Sequence, residues 1–238
     1  MSQPSTKIFP GIKSYVLRSG RETAAQRRSY DSLSGQFIIP FDNTYMNFPA
    51  VFGNGNPVIV EIGFGMGIAT AIIAGNNPEK NFLGIEVHKA GIGKLLWEIN
   101  RRSLGNIRII EHDAVEVFDT MIPPHSLAGV HLFFPDPWPK QRHHKRRLVK
   151  RPFTHTIAGR LETRGYLYMV TDWEDYAQWA LAELGATCEL TNVSCDFAER
   201  QAWRPCTSFE KKAQEKGRYI KELLFVNKEN RGEKIGNR

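Results

Sequence analysis

The pattern of apolar and polar positions changes near Pro57. Before it, the chain holds scattered prolines and glycines, with a weak helical pattern at residues 22–33. After it, short continuous apolar runs alternate with segments in which apolar residues recur every three or four positions. The runs are typical of strands buried on both faces, and the segments between them are typical of helices.

Five strands are predicted, and each is followed by a helix over a short connection. The predicted strands cover residues 57–62, 81–87, 106–113, 127–134 and 165–172. The predicted helices cover residues 68–77, 90–103, 114–122, 153–162 and 173–186. Two late strands, 188–193 and 219–227, enclose a polar loop. This alternation predicts an α/β fold with a doubly wound, mostly parallel sheet.

Composition limits the organisation and the class of partner. The 238 residues suit one α/β domain. We predict a flexible basic arm at 1–34, one domain at 35–227 and a tail at 228–238.

The net charge of +7 favours a polyanionic partner or an anionic membrane. No apolar run is long enough for a membrane helix, and no signal peptide is recognised. Three cysteines without a CxxC motif predict reduced thiols and a cytoplasmic location.

Each of the first five predicted strands ends near a carboxylate. These acids are Glu61, Glu86, Asp113, Asp136 and Asp172. In doubly wound sheets the carboxyl ends of the strands form the ligand crevice, so the five acids indicate a binding site. Helix capping is the alternative role for several of them, and Asp113 in particular precedes a predicted helix.

A glycine loop follows the first strand in the sequence EIGFGMG, with Gly63, Gly65 and Gly67. The dinucleotide fingerprint needs a small residue at position 68, where this chain has Ile68. The G-x-G-x-G form after an acid is the S-adenosylmethionine version of this loop. A P-loop is excluded because no Gly-Lys-Ser/Thr follows. A glycine turn without a cofactor remains the alternative.

The acids after the second and third strands suit the rest of such a cofactor. Glu86 can accept hydrogen bonds from both ribose hydroxyls, a feature that NAD enzymes share. Asp113 can accept from the adenine amine, and Ala114 can supply a backbone N–H. Glu61 would lie near the amino-acid moiety.

The stretch FFPDPWPKQRHHKRR joins an aspartate in a proline-rich turn to a basic tract, residues 140–151. The tract contains seven Lys/Arg and no acid. It can hold RNA phosphates, although a solvated surface run is the alternative. The proposed phosphate contacts are Lys140, Arg142, Lys145, Arg146 and Arg147. The adjacent histidines His143 and His144 and the cysteines do not predict a metal site.

Together, EIGFGMG, GIEVH, HDA, FPDPWPK, TDWEDYA and TSFEKK resemble the bacterial tRNA (guanine-N7)-methyltransferase family over residues 35–226. FPDPWPK is the most specific of these motifs. The resemblance implies a Rossmann-like class I methyltransferase with a mostly parallel seven-stranded sheet and an antiparallel C-terminal strand. It also implies transfer of a methyl group from S-adenosylmethionine to guanine N7 in the tRNA variable loop.

The resemblance also implies the roles of individual residues. The implied cofactor carboxylates are Glu61, Glu86, Asp113 and Asp136. Asp136 falls on the active-site aspartate. The implied tRNA and substrate contacts are Lys140, Asp172, Thr207, Ser208, Phe209 and Glu210. Ser208 stands where such proteins often carry arginine.

Guanine N7 has a lone pair and no proton, so it can attack a sulfonium methyl in line without a general base. The protein must then position the reactants and stabilise the positive charge that moves onto the purine. Asp136, in a turn stiffened by three prolines, suits that role. Trp138 either stacks on the base or packs beneath the turn. Asp172 either accepts from guanine N1–H and N2–H or caps the next helix.

Three other functions remain open at this point. The chain could be another class I methyltransferase, for example one that acts on rRNA, or a non-catalytic RNA-binding protein on the same scaffold. An NAD-dependent oxidoreductase is disfavoured by Ile68. The sequence does not distinguish a monomer from a homodimer.

Overall fold

The computed structural model describes residues 13–16 and 22–228. Its strands are β1 (Val58–Ile62), β2 (Asn81–Glu86), β3 (Ile107–Glu111), β4 (Leu127–Phe133), β5 (Leu161–Thr171), β6 (Leu190–Asn192) and β7 (Lys221–Asn227). Its α-helices are α1 (Ala24–Phe37), α2 (Phe48–Phe52), α3 (Ile68–Gly75), α4 (Lys89–Arg102), α5 (Ala114–Thr120), α6 (Phe153–Arg160), α7 (Glu174–Gly185) and α8 (Ser208–Glu215). A 3-10 helix covers Gln141–Arg146.

The seven strands form one sheet in the order β3-β2-β1-β4-β5-β7-β6. Strands β1 to β5 pair in parallel, and β7 is antiparallel to both β5 and β6. The predicted mostly parallel sheet with an antiparallel C-terminal strand is therefore confirmed. The chain runs outward from β1 to β3 and then returns to β4 beside β1. This reversal opens the crevice where doubly wound sheets bind ligands.

Helices cover both faces of the sheet, which explains why every residue of β1 and β2 is buried. One apolar cluster includes Phe118 of α5 and Phe153 of α6, whose rings meet edge to face. The other includes Leu95 and Ile99 of α4. Within the described residues, no helix is long and apolar enough to cross a membrane.

Helix α1 is longer than the weak pattern at residues 22–33 indicated, and it crosses the predicted boundary at residue 34. Thr23 and Gln26 form a capping box at its start. The helix packs closely on α4, because a Cβ placed on Gly93 would lie 2.5 Å from the Gln26 carbonyl oxygen. Residues 24–34 therefore belong to the folded body and not to an arm. Most of the preceding arm, and residues 229–238 of the tail, lie outside the described residues.

Two segments predicted as irregular contain short helices. Helix α2 lies in the part before Pro57 where no helix was predicted, and it buries Phe48 and Phe52 while Tyr45 remains exposed. Helix α8 lies inside the predicted polar loop, and Thr207 caps it by accepting from the Glu210 N–H at 3.1 Å. Both helices are too short to show a clear apolar period, which is why the sequence pattern missed them.

Candidate active site

The glycine loop connects β1 to α3, and no side chain covers its backbone at the glycines. Gly63, Gly65 and Gly67 have φ values of 71°, 57° and 67°, a region that favours glycine. A Cβ added to Gly63 or Gly65 would meet no atom within 4 Å, so a ligand can approach the backbone there. A Cβ on Gly67 would lie 2.6 Å from Leu95, so this glycine instead lets α3 pack on α4.

Glu86 faces the same loop from the end of β2. Its Oε2 accepts from the Gly65 N–H at 2.9 Å, and its Oε1 accepts from the Val87 N–H at 2.7 Å. Gly91 at the start of α4 permits this arrangement, because a Cβ there would lie 2.1 Å from the Gly65 carbonyl oxygen. Sequence reasoning missed Gly91, although a glycine in a helical pattern signals a close approach.

Glu61 is buried near the end of β1. Burial raises the pKa of Glu61 to about 7, and the nearby charge of Glu86 acts in the same direction. A buried acid that is half-protonated near neutral pH can become ionised when a cationic group binds beside it. Perturbed acids of this kind cluster at functional sites.

Asp113 caps α5, because its Oδ1 accepts from the Val115 N–H at 2.9 Å. The capping alternative is therefore confirmed for this residue. Burial raises the pKa of Asp113, while the charge of Lys13 opposes that shift. Ala114, the first residue of α5, is buried beside it. The cap fixes the acid at the crevice edge, next to the ends of β2 and β3.

Asp136 lies in the turn after β4, and its side chain is exposed. Within residues 13–16 and 22–228, no hydrogen bond to its carboxylate is present. Phe134 and Trp138 on either side have left-handed φ values of 52° and 46°, which are unfavourable for bulky residues. Such strain is held by the surrounding structure and concentrates at functional sites. The turn therefore presents a free negative charge on a constrained backbone.

Arg147 is buried against this turn, so its prediction as a phosphate contact is wrong. It is 1% exposed, and its Nε donates to the Pro137 carbonyl oxygen at 3.0 Å. Its Nη2 donates to the Asp175 carboxylate. The guanidinium also lies 5.1 Å from the ring centroids of both Tyr176 and Trp179. Arg147 therefore braces the backbone that carries Asp136, and RNA cannot reach it.

The rest of the basic tract is accessible. Lys140, Arg142 and Lys145 are exposed around the 3-10 helix. Arg146 lies over the Trp138 ring at 5.0 Å. The Trp138 indole N–H donates to the Ser14 carbonyl oxygen at 3.0 Å, so this ring contacts the N-terminal segment of its own chain. Of the five predicted phosphate contacts, three are thus fully exposed and Arg146 is half-buried, so these four stay candidates.

Asp172, after β5, forms an ion pair with Arg218, whose Nη1 lies 2.7 Å from its Oδ2. The capping alternative is wrong, because Trp173 is the N-cap of α7 and has no side-chain cap. The Trp173 N–H instead donates to Thr171 Oγ1 at 3.2 Å. Sequence reasoning missed Arg218, which is 46 positions away and carries no motif.

The predicted substrate stretch at residues 207–210 divides into buried and exposed members. Glu210 is buried, and its carboxylate lies 2.5 Å from the buried guanidinium of Arg204. Glu210 therefore forms a structural ion pair with Arg204 and is not a substrate contact. Ser208 is exposed, and Phe209 is 63% exposed. The Phe209 ring lies nearly parallel to Phe134, two residues before Asp136, with centroids 6.2 Å apart.

Comparisons with known proteins agree with this arrangement. Residues 55–223 match the Methyltransf_4 family, described as "Putative methyltransferase". The tRNA (guanine-N(7)-)-methyltransferase of Burkholderia thailandensis is 48% identical, covering 91% of this chain and 82% of that protein. The enzyme of the same name from Treponema pallidum subsp. pallidum is also 48% identical, covering 90% and 95%.

Solved structures show the same fold at low sequence identity. The 16S rRNA methyltransferase KamB matches with a TM-score of 0.57 at 12% identity, covering 77% of this chain and 94% of that one. A 16S rRNA (adenine(1408)-N(1))-methyltransferase from Catenulisporales acidiphilia, determined with its cosubstrate SAM, matches with a TM-score of 0.52 at 13% identity, covering 76% and 90%. The sheet order, the glycine loop and the curated relatives agree: the chain belongs to the tRNA (guanine-N(7)-)-methyltransferase family.

Proposed function

We propose that this protein transfers a methyl group from S-adenosylmethionine to N7 of a guanine in the variable loop of tRNA. The observation that carries the proposal is the juxtaposition of a bare glycine loop with the exposed, constrained Asp136 at the switch point of the sheet. The relatives at 48% identity, which are named for this reaction, support it.

The residues of the crevice fit the proposed cofactor. S-adenosylmethionine supplies an electrophilic methyl group on a sulfonium centre. Glu86, which already accepts from the Gly65 N–H, is proposed to accept from the ribose hydroxyls, and the open space over Gly63 and Gly65 would admit the ligand to the main chain. Glu61 suits an ammonium group, since a neighbouring cation would favour its ionised form. Asp113 is proposed to accept from the adenine amine, and Ala114 to donate its backbone N–H to the adenine.

The chain's own residues then act by position and charge. N7 of guanine carries no proton, so no side chain has to remove one. Asp136 supplies a negative charge where the purine gains positive charge, and Arg147 keeps its turn in place. Asp172, oriented by Arg218, is proposed to accept from the guanine edge. Phe209 and Phe134 offer rings on which a base can stack.

The tRNA backbone is proposed to lie along the exposed cations Lys140, Arg142 and Lys145. These residues directly follow the turn that holds Asp136, so phosphate contacts there would direct a nearby base toward the crevice. We place the activity in the cytoplasm, which agrees with the free state of the three cysteines.

The test is to incubate the protein with methyl-labelled S-adenosylmethionine and either bulk tRNA or ribosomal RNA. The RNA is then digested and the labelled nucleoside identified. We expect 7-methylguanosine from tRNA and no label in ribosomal RNA. Label in ribosomal RNA alone would favour the second candidate, an rRNA methyltransferase, and no transfer at all would favour a non-catalytic RNA-binding protein.

A further inference from the structure

Three side chains with metal-ligating atoms meet far from the crevice, at the start of β6. They are His155 of α6 together with Cys188 and Glu189 of the turn between α7 and β6. Their ligand atoms all lie within 4.8 Å of one another. His155 Nδ1 lies 2.8 Å from Glu189 Oε2, and Cys188 Sγ lies 3.3 Å from the same oxygen.

These separations are close to those of a tetrahedral zinc site. Zinc binds nitrogen and carboxylate oxygen at about 2.0 Å and thiolate sulfur at about 2.3 Å, so neighbouring ligand atoms lie about 3.3–3.6 Å apart. The two contacts to Glu189 Oε2 need to lengthen by about half an ångström or less to reach that range. The third pair, His155 Nδ1 and Cys188 Sγ, lies within 4.8 Å and has to move closer. Side-chain rotation alone can supply such shifts at a partly exposed surface.

The backbone that carries the three ligands is fixed from both sides. The buried hydroxyl groups of Thr154 and Thr187, which precede His155 and Cys188, form a hydrogen bond of 2.8 Å. On the other side, the Lys228 N–H donates to the Glu189 carbonyl oxygen at 2.8 Å. The site is therefore already organised, which lowers the cost of binding an ion.

The chemistry of the donor set selects the metal. The Glu189 carboxylate now gathers hydrogen bonds from the Cys188 thiol and the His155 ring. One divalent ion can replace both hydrogen bonds. The Cys188 thiol releases its proton to solvent, and the His155 proton moves through solvent from Nδ1 to Nε2, which frees Nδ1 to bind the ion. The thiolate and carboxylate then balance the two positive charges. Combined sulfur, nitrogen and oxygen ligands favour zinc over magnesium or calcium.

We propose that His155, Cys188 and Glu189 form a zinc site that joins α6 to the start of β6, with water as the fourth ligand. All three residues are at least partly exposed, which leaves room for that water. This proposal departs from the prediction that the cysteines form no metal site. No sequence motif indicates the cluster, because His155 and Cys188 are 33 positions apart and lie in different elements.

The test uses full-length protein stripped of metal with a chelator and titrated with zinc chloride by calorimetry. A parallel titration with cobalt(II) reports thiolate coordination as a charge-transfer absorption. We expect one equivalent of zinc to bind and the cobalt spectrum to show a thiolate band. His155→Ala should weaken zinc binding by at least about tenfold, the loss expected even for an outer-shell partner.

Cys188→Ser should abolish the cobalt thiolate band, whereas the matched control Cys195→Ser, at another exposed cysteine, should retain it. Both substitutions are conservative and exposed, so neither should prevent folding. The proposal is overturned if Cys188→Ser binds zinc as tightly as the unaltered protein, or if Cys195→Ser removes the band instead.

Discussion

The acids after β1 and β2 differ from the acid after β4 in what surrounds them. Glu61 and Glu86 are buried, and Glu86 is bound to the main chain of the glycine loop. Asp136 is exposed, and within the described residues its carboxylate accepts no hydrogen bond. The half of the crevice formed by β1 and β2 is therefore already organised without RNA, whereas the half at the end of β4 presents an unpaired carboxylate.

This difference indicates a division of labour. A preorganised half suits a small cofactor that must be held in one orientation. A free carboxylate on a braced turn suits charge stabilisation that is needed only when the purine is in place. The basic tract repeats the contrast, because its buried Arg147 braces the turn while its exposed cations remain available to RNA.

The largest expected effect is on stability, at Arg147. Arg147→Ala removes two hydrogen bonds and leaves a cavity between Tyr176 and Trp179, so we expect the free energy of unfolding to fall by about 3–5 kcal/mol. Denaturant unfolding measures this. Arg142→Ala, at an exposed position of the same tract, should change it by no more than about 0.5 kcal/mol. Equal losses would remove the distinction between bracing and exposed cations.

The pKa of Glu61 predicts a pH dependence of stability. Its carboxyl ionises near 4.5 in the unfolded chain and near 7 in the folded one, so the folded state holds an extra proton between these pH values. Stability from this residue therefore falls as the pH rises from 4.5 to 7 and is constant above. Glu61→Gln should remove that loss. The difference in unfolding free energy between the variant and the unaltered protein should therefore be about 3 kcal/mol more favourable to the variant at pH 8 than at pH 5. Exposed Glu199→Gln should show no such difference between the two pH values.

Glu86→Gln should weaken cofactor binding in the absence of RNA. The carboxylate can accept charge-assisted hydrogen bonds from the ribose hydroxyls and the Gly65 N–H together, whereas the neutral amide cannot. Losing these hydrogen bonds costs about 1.5–3 kcal/mol of binding free energy, or about 10- to 100-fold in Kd. Calorimetry with S-adenosylmethionine measures this. Exposed Glu79→Gln serves as the control. An unchanged Kd for Glu86→Gln would show that the preformed half is not the cofactor half.

The smallest effect per residue is expected from the exposed cations. Neutralising Lys140, Arg142 and Lys145 to glutamine should reduce the slope of log K against log salt for tRNA binding by about 2. The same changes at Lys80, Arg101 and Arg102, which lie near the amino ends of β2 and β3 and so opposite the crevice, should leave the slope nearly unchanged. Identical slopes for the two triple variants would exclude the tract from phosphate contact.

The parallel sheet and the cofactor half could be predicted because their signals are local. The continuous apolar runs define β1 to β5, and the spacing of Gly63, Gly65 and Gly67 defines the loop. The burial of Arg147 and Glu210 could not be predicted, because nothing in a charged run tells which member turns inward. Tertiary partners decide it, here Asp175 for the first and Arg204 for the second.

The same limit applies to contacts between distant segments. Asp172 pairs with Arg218, and Gly93 admits α1 onto α4, but neither contact has a sequence period or motif. A single chain without such signals reveals which residue types are present, and the fold decides which of them meet.

The division of labour is tested most directly by single-turnover methylation of tRNA by Asp136→Asn at saturating tRNA and cofactor. This change removes the charge while keeping the size of the side chain. We predict a transfer rate about 10²- to 10³-fold lower, the loss typical of one electrostatic stabiliser, with a smaller rise in cofactor Kd than Glu86→Gln causes. A transfer rate near that of the unaltered protein would contradict the account.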